Sequence, residues 1–265
     1  MNDLIILKLG GSVITDKKKA LTADRKAIAR LSKEVGEVIH SGNAKVVVVH
    51  GAGSFGHIPA KKYGIQDGVH DVSQRIGFAE THAAVSQLSQ IVAGEFVKNK
   101  IPAISVYPLL VAKQQNKKLV AFNHQIVKDL LFAGFTPIIP GDVALDGALT
   151  GSICSGDAIT PWLARTLEAK KMVFGVNVDG VCETDPKKDK KAKLIPEISH
   201  KNIHQVLSLV GGSSAPDVTG GMKGKILKLY EEAKATPITI VNATKAGRVR
   251  DALLGKQVVG TRVLF

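Results

Sequence analysis

Short apolar runs alternate with longer amphipathic stretches along the whole chain. Residues 4–8, 45–49, 101–106, 136–139, 171–176, 238–241 and 261–265 are rich in Val, Ile and Leu and carry few charges. Runs this short and apolar predict strands buried on both faces. Between them, residues 24–41, 73–98, 123–133, 157–167 and 221–235 repeat apolar positions at helical spacing. Thr22 or Asp24 supplies a cap for the first of these helices. The alternation predicts a mainly parallel open sheet covered by helices on both faces, a three-layer αβα sandwich. The stretch Asp146-Gly147-Ala148-Leu149-Thr150-Gly151 reads as a hairpin. It marks a seam between an N-lobe (residues 1–150) and a C-lobe (residues 151–265) of one domain, and no internal repeat is visible.

Composition narrows the function classes. The chain has 265 residues, 45% of them hydrophobic, which suffices for a sizeable core. Aromatic residues are only 5%, against a stacking platform for single-stranded nucleic acid. Cys154 and Cys182 form no CxxC or metal-like spacing and read as free thiols in a reducing, cytoplasmic setting. The apolar start at residues 4–7 is too short for a signal peptide or a membrane span. The formal charge is +13, but the lysines are scattered. Their densest cluster, residues 187–193, reads as a solvated loop. No helix-turn-helix or aromatic-basic patch accompanies the charge, so no nucleic-acid partner is expected. A positive field does favour phosphorylated ligands.

Five segments carry candidate chemistry. Lys8-Leu9-Gly10-Gly11-Ser12 follows the first strand, and glycines there admit phosphate close to the backbone. Lys17 lies nine residues beyond Lys8, and the spacing is not that of a P-loop. His50-Gly51-Ala52-Gly53-Ser54-Phe55-Gly56-His57 follows the second strand as a glycine-rich loop with His57 at its far lip. His50, at the strand end, reads as structural, and the other six histidines show no ligand pattern. Ser155-Gly156-Asp157 opens a helix whose N-terminus suits an anion, although Asp157 alone also reads as a plain cap. Asp179-Gly180 ends a strand, where carboxylates of α/β sheets face the ligand crevice, or simply forms a turn. Finally, Asp217-Val218-Thr219-Gly220-Gly221-Met222 opens a helix on which Lys225 sits one turn in, able to return to a phosphate held there. Residues 76–79 with Ile153 form a candidate apolar wall above the acceptor, or ordinary helix-to-sheet packing.

Together, KLGGSVITDK, HGAGSFGH, the SGD of residues 155–157 and DVTGGMKGK resemble the amino-acid-kinase superfamily and, within it, the isopentenyl phosphate kinases. The resemblance runs in order from residue 4 to about 263, and His57 is its most discriminating element. It implies the amino-acid-kinase fold, ATP with Mg2+, and transfer of the γ-phosphoryl group to a short prenyl monophosphate, isopentenyl phosphate. It implies catalytic roles for Lys8, Lys17 and His57. ATP would meet Lys8, Gly10, Gly11, Ser12, Gly53, Asp179, Gly220 and Lys225. The acceptor phosphate would meet Ala52, Gly53, His57 and Gly156, while Asp157 orients the lysines. A homodimer is implied as well. A monophosphate oxygen is already nucleophilic, so alignment and charge neutralisation suffice without a strong base. Fosfomycin-type and other kinases of the same fold remain open, as does a non-catalytic nucleotide sensor with a basic, nucleic-acid-binding surface.

Overall fold

A computed structural model describes residues 3–16, 19–186, 188–210, 221–233 and 236–265. The chain begins with strand β1 (Asp3–Leu9), the single turn α1 (Gly11–Ile14), helix α2 (Arg25–His40), strand β2 (Ala44–His50), helix α3 (Gly53–Lys62) and the long helix α4 (Val72–Lys98). Next come β3 (Ala103–Ser105), α5 (Pro108–Val111), β4 (Ala112–Gln115), β5 (Lys118–Phe122), α6 (Gln125–Phe132), β6 (Thr136–Pro140), β7 (Asp142–Asp146) and β8 (Thr150–Cys154). The rest comprises α7 (Gly156–Thr166), β9 (Lys171–Val176), β10 (Glu197–Ser199), α8 (Ile203–Leu209), α9 (Gly221–Glu232), β11 (Ile238–Asn242), α10 (Arg248–Leu253) and β12 (Gly260–Leu264). Among the described residues, no helix is long and apolar enough to cross a membrane.

Eight strands form one sheet in the order β10-β12-β11-β9-β1-β2-β6-β3. Every neighbouring pair is parallel except β11 with β12. The central strands are apolar throughout because both of their faces are covered. Ile6, Val47, Phe174 and Ile240 meet Leu131 of α6, Leu163 of α7 and Leu229 of α9 on one face. Leu7, Val48 and Val173 meet Leu31 of α2, Leu88 of α4 and Leu253 of α10 on the other. The sandwich expected from the alternation is therefore present. Asp24 caps α2, its carboxylate accepting from the Ala27 N–H at 2.9 Å.

Two elements depart from the sequence reading. Residues 53–62 form helix α3, so His57 stands on a helical turn and not on a loop. Helix propensity in Gly-Ser-Phe-Gly is poor, and contacts from elsewhere in the fold fix it. A second sheet, β5-β4-β7-β8, was also not anticipated beyond its β7–β8 hairpin. It is organised by the Asp146 carboxylate, which accepts from the N–H groups of Asn116, Lys117, Ala148 and Leu149 and from the Ser152 hydroxyl. Burial opposes ionisation of Asp146, but these donors prevail and hold its carboxyl down at about 2.

Candidate active site

Strands β9, β1, β2 and β6 end side by side, and their ladder continues one residue past the strand ends. Gly10 N–H donates to Gly175 O (2.8 Å), Gly51 N–H to Leu9 O (2.9 Å) and Gly141 N–H to His50 O (2.6 Å). This brings the Gly10–Gly11 and Gly51–Gly53 segments into backbone contact. A Cβ on Gly11 would lie 2.5 Å from Gly53 N, and one on Gly51 would lie 2.6 Å from Gly11 N. Gly53 also has φ +53°, a left-handed conformation that glycine adopts without strain. Only glycine allows these two chains to meet here.

Four helices, α1, α3, α7 and α9, begin with Gly11, Gly53, Gly156 and Gly221. All four glycines line a single cavity of about 320 Å³. Helix starts leave backbone N–H groups without intrahelical partners and carry partial positive charge, so their convergence favours a polyanion.

Ionised side chains cross the floor of this cavity. Lys8, buried near the end of β1, and Lys225, buried at the start of the second turn of α9, both reach Asp157 on α7. Asp157 Oδ1 lies 3.0 Å from Lys8 Nζ and 2.5 Å from Lys225 Nζ. Burial alone would push the Asp157 carboxyl up, but the two ammonium groups hold it well below the usual carboxylate range. Burial pulls the Lys225 ammonium down to about 8, opposed by Asp157 and reinforced by Lys8. The Ser155-Gly156-Asp157 segment thus does more than cap. The α7 cap residue Ser155 makes no side-chain cap bond, and the Asp157 carboxylate goes to the lysines.

Ser12, Ala52 and His57 line the same cavity, His57 from the second turn of α3. His50 is wholly buried; burial pushes its imidazole down to about 4 and it stays neutral. At one end the lining turns apolar, with Ala60, Val85 and Ile153. Ile153 packs with Phe78, but Ile76 is exposed and Gly77 lies against the Tyr63 ring, so only part of residues 76–79 serves as wall.

Asp179 does not line the cavity. Its Oδ1 accepts from Asn242 Nδ2 at 2.9 Å and Arg248 Nη1 at 2.5 Å, while Asn177, Val178 and Gly180 beside it do line the cavity. Lys17 and Gly220 lie outside the described residues. Residues 184–186 also line the cavity, and beyond them Asp189 accepts from the Thr184 hydroxyl and Lys191 N–H.

Sequence reasoning missed three participants. Gly141 follows β6 as Gly10 follows β1, and that strand-glycine pattern was available. Asp142 lines the cavity next to it and bonds His82 at 2.7 Å. Burial pushes the Asp142 carboxyl up to about 6, against the pull of Val143 N–H and His82. No local spacing links residues 82 and 142. Thr15, buried beneath the two glycine segments, is the third.

Comparison with known proteins places this arrangement. The sequence profile of the amino acid kinase family matches residues 3–242. The isopentenyl phosphate kinase of Methanothermobacter thermautotrophicus is 35% identical, covering 98% of this chain and 98% of its own length. That of Methanocaldococcus jannaschii is 33% identical over 99% of each. A crystal structure of an isopentenyl phosphate kinase superposes with a TM-score of 0.83 at 33% identity, covering 98% of this chain and 99% of the other.

Proposed function

Because the chain belongs to the amino acid kinase family and, within it, to the isopentenyl phosphate kinases, we propose that this cavity holds ATP at one end and isopentenyl phosphate at the other. The reaction is ATP-dependent phosphorylation of isopentenyl phosphate. A terminal oxygen of the acceptor monophosphate attacks the γ-phosphorus. The bond from that phosphorus to the bridging oxygen breaks, and isopentenyl diphosphate and ADP result. The nucleophile is an anionic oxygen that needs no strong base, so the work of the site is to bring two anions together in line.

The observation that carries this reading is the Lys8–Asp157–Lys225 bridge, set between the converging glycine-started helices. One carboxylate fixes two ammonium groups before substrate arrives, which suits stabilisation of charge shared between two phosphates. In this reading Gly10, Gly11 and Ser12 line the path of the transferring group. Ala52, Gly53 and Gly156 offer backbone to the acceptor phosphate, and His57 donates to it and fixes its angle. Lys225, the Asp179–Gly180 loop and Gly220 serve the nucleotide. Lys17 is assigned a place beside the γ-phosphoryl by resemblance alone. The apolar end formed by Ala60, Val85 and Ile153 takes the prenyl tail.

Among the described residues, no group of three His, Cys, Asp or Glu side chains is placed to hold a metal ion. The magnesium expected with ATP therefore has no protein cage among them. A homodimer is part of the proposal on the family resemblance. A cytoplasmic setting is supported by the free, buried thiols of Cys154 and Cys182.

An ADP-release assay with isopentenyl phosphate, fosfomycin, glutamate and aspartate tests the reading. Turnover is expected with isopentenyl phosphate far above the others. His57→Ala is expected to lower kcat by about 100-fold while the KM for ATP moves less than about threefold. An unchanged rate for that variant overturns the assignment of His57.

A further inference from the structure

The donor-side and acceptor-side segments touch through bare backbone, and the Thr15 side chain ties them. Thr15 follows α1 and is 5% exposed. Its hydroxyl donates to Gly11 O at 2.8 Å and accepts from Ser54 N–H at 3.1 Å. Gly11 belongs to the segment after β1, and Ser54 is the second residue of α3. The Ser54 amide is one of the donors that a helix start leaves unpaired, and Thr15 satisfies it from another element. The fit is close: a Cβ on Gly53 would lie 2.1 Å from Thr15 Oγ1.

A hydroxyl that donates in one direction and accepts in another fixes the relative placement of both partners. Here those partners are the phosphate loop that opens α1 and the helix that carries His57. We propose that Thr15 is a positioning residue for phosphoryl transfer, setting the distance between donor and acceptor phosphates through its hydroxyl. This rests on the assignment of the two loops given above. Thr15 touches neither phosphate; it determines where the groups that hold them sit. Losing the hydroxyl should leave each substrate bound and spoil their alignment, because misplacement on the ångström scale costs rate more than affinity.

The test uses Thr15→Val, which keeps the branched shape, and Thr15→Ser, which keeps the hydroxyl. Thr15→Val is expected to lower kcat by about 10- to 100-fold, with the KM of ATP and of isopentenyl phosphate each within about threefold of wild type. Thr15→Ser is expected to restore kcat to within about threefold of wild type. Hydrogen exchange over residues 52–58 reads the clamp without substrate. It should be faster by about tenfold in Thr15→Val and near wild type in Thr15→Ser. Wild-type kcat in Thr15→Val, or a Thr15→Ser enzyme as slow as Thr15→Val, overturns the inference. If Thr15→Val does not fold, Thr15→Cys, a poor hydrogen bonder, is judged by the same criteria. If the wild-type enzyme does not turn over isopentenyl phosphate, the functional reading fails, and exchange alone decides the clamp: unchanged exchange in Thr15→Val overturns it.

Discussion

The part of the cavity where the two glycine segments meet and the part beside the Asp179 loop are built by different means. Where the glycine segments meet, backbone faces backbone. Gly11, Gly51 and Gly53 lie so close that no side chain fits, and they hang from the ends of strands buried on both faces. Beside Asp179, side chains do the holding. The loop around Asp179 is tied down by Asn242 and Arg248, and the Asp179 side chain is 48% exposed. A steric arrangement of the first kind tolerates almost no change at its contact points and is indifferent to salt and pH. An electrostatic arrangement of the second kind bends gradually, because an exposed ion pair is worth little and is screened. Lys8, Asp157 and Lys225 stand between the two, electrostatic in nature but buried, so salt screens them little and Lys225 responds to pH.

The sharpest way to break this comparison is Gly53→Ala. The added Cβ would collide with Thr15, and the residue would be held at φ +53°. A loss of turnover of about 100-fold or more is expected in the ADP-release assay. An alanine variant within threefold of wild type would show that the backbone contact does not set the alignment.

Lys225 gives an intermediate effect. Its ammonium, lowered to about 8 by burial in the ligand-free protein, is charged at neutral pH and loses its proton above that value. Since kcat/KM reports the free enzyme, kcat/KM for ATP should be flat below about pH 7.5 and fall by up to about tenfold per unit above pH 8. Lys225→Arg keeps its charge throughout, so its profile, at whatever level of activity, should lose this decline. A decline of equal size in the arginine variant would move the titration to another group.

The smallest effect belongs to the exposed pair. Arg248→Gln removes one of the two donors to Asp179, and the KM for ATP should rise by only about two- to fivefold, with the KM for isopentenyl phosphate unchanged. A larger effect on the acceptor than on the nucleotide would mean that the two ends are not separately built.

Much of the frame was legible in sequence because burial on both faces leaves a plain trace. Strands β1, β2 and β9 read as apolar runs, and α2 carries both its periodicity and its Asp24 cap. Helix α3 was not legible, since its first residues favour turns and its start is fixed by Thr15, 39 residues from Ser54 in sequence. Strands β4 and β5 are short, and β4 is polar. Their turn, Asn116-Lys117, has positive φ at both residues and is held by Asp146, thirty positions away from Asn116. In the site, the glycine segments and Lys8 were visible as strand-end motifs. The partnership of Asp179 with Arg248 was not, because it spans 69 residues and follows no local spacing. The same holds for His82 and Asp142, which meet only because α4 lies across β7.

One consequence of the sheet order remains. Strands β1 and β2 are adjacent and parallel, with Leu9 opposite His50, and the two glycine segments leave from those ends. Neighbouring strands in any sheet lie about 4.8 Å apart, a spacing imposed by the peptide hydrogen bond. The spacing of the two glycine segments at their roots is therefore inherited from the ladder itself. The rest of the cavity lining can change its shape while that root spacing stays that of a β-sheet, leaving Thr15 to adjust how the segments sit above it.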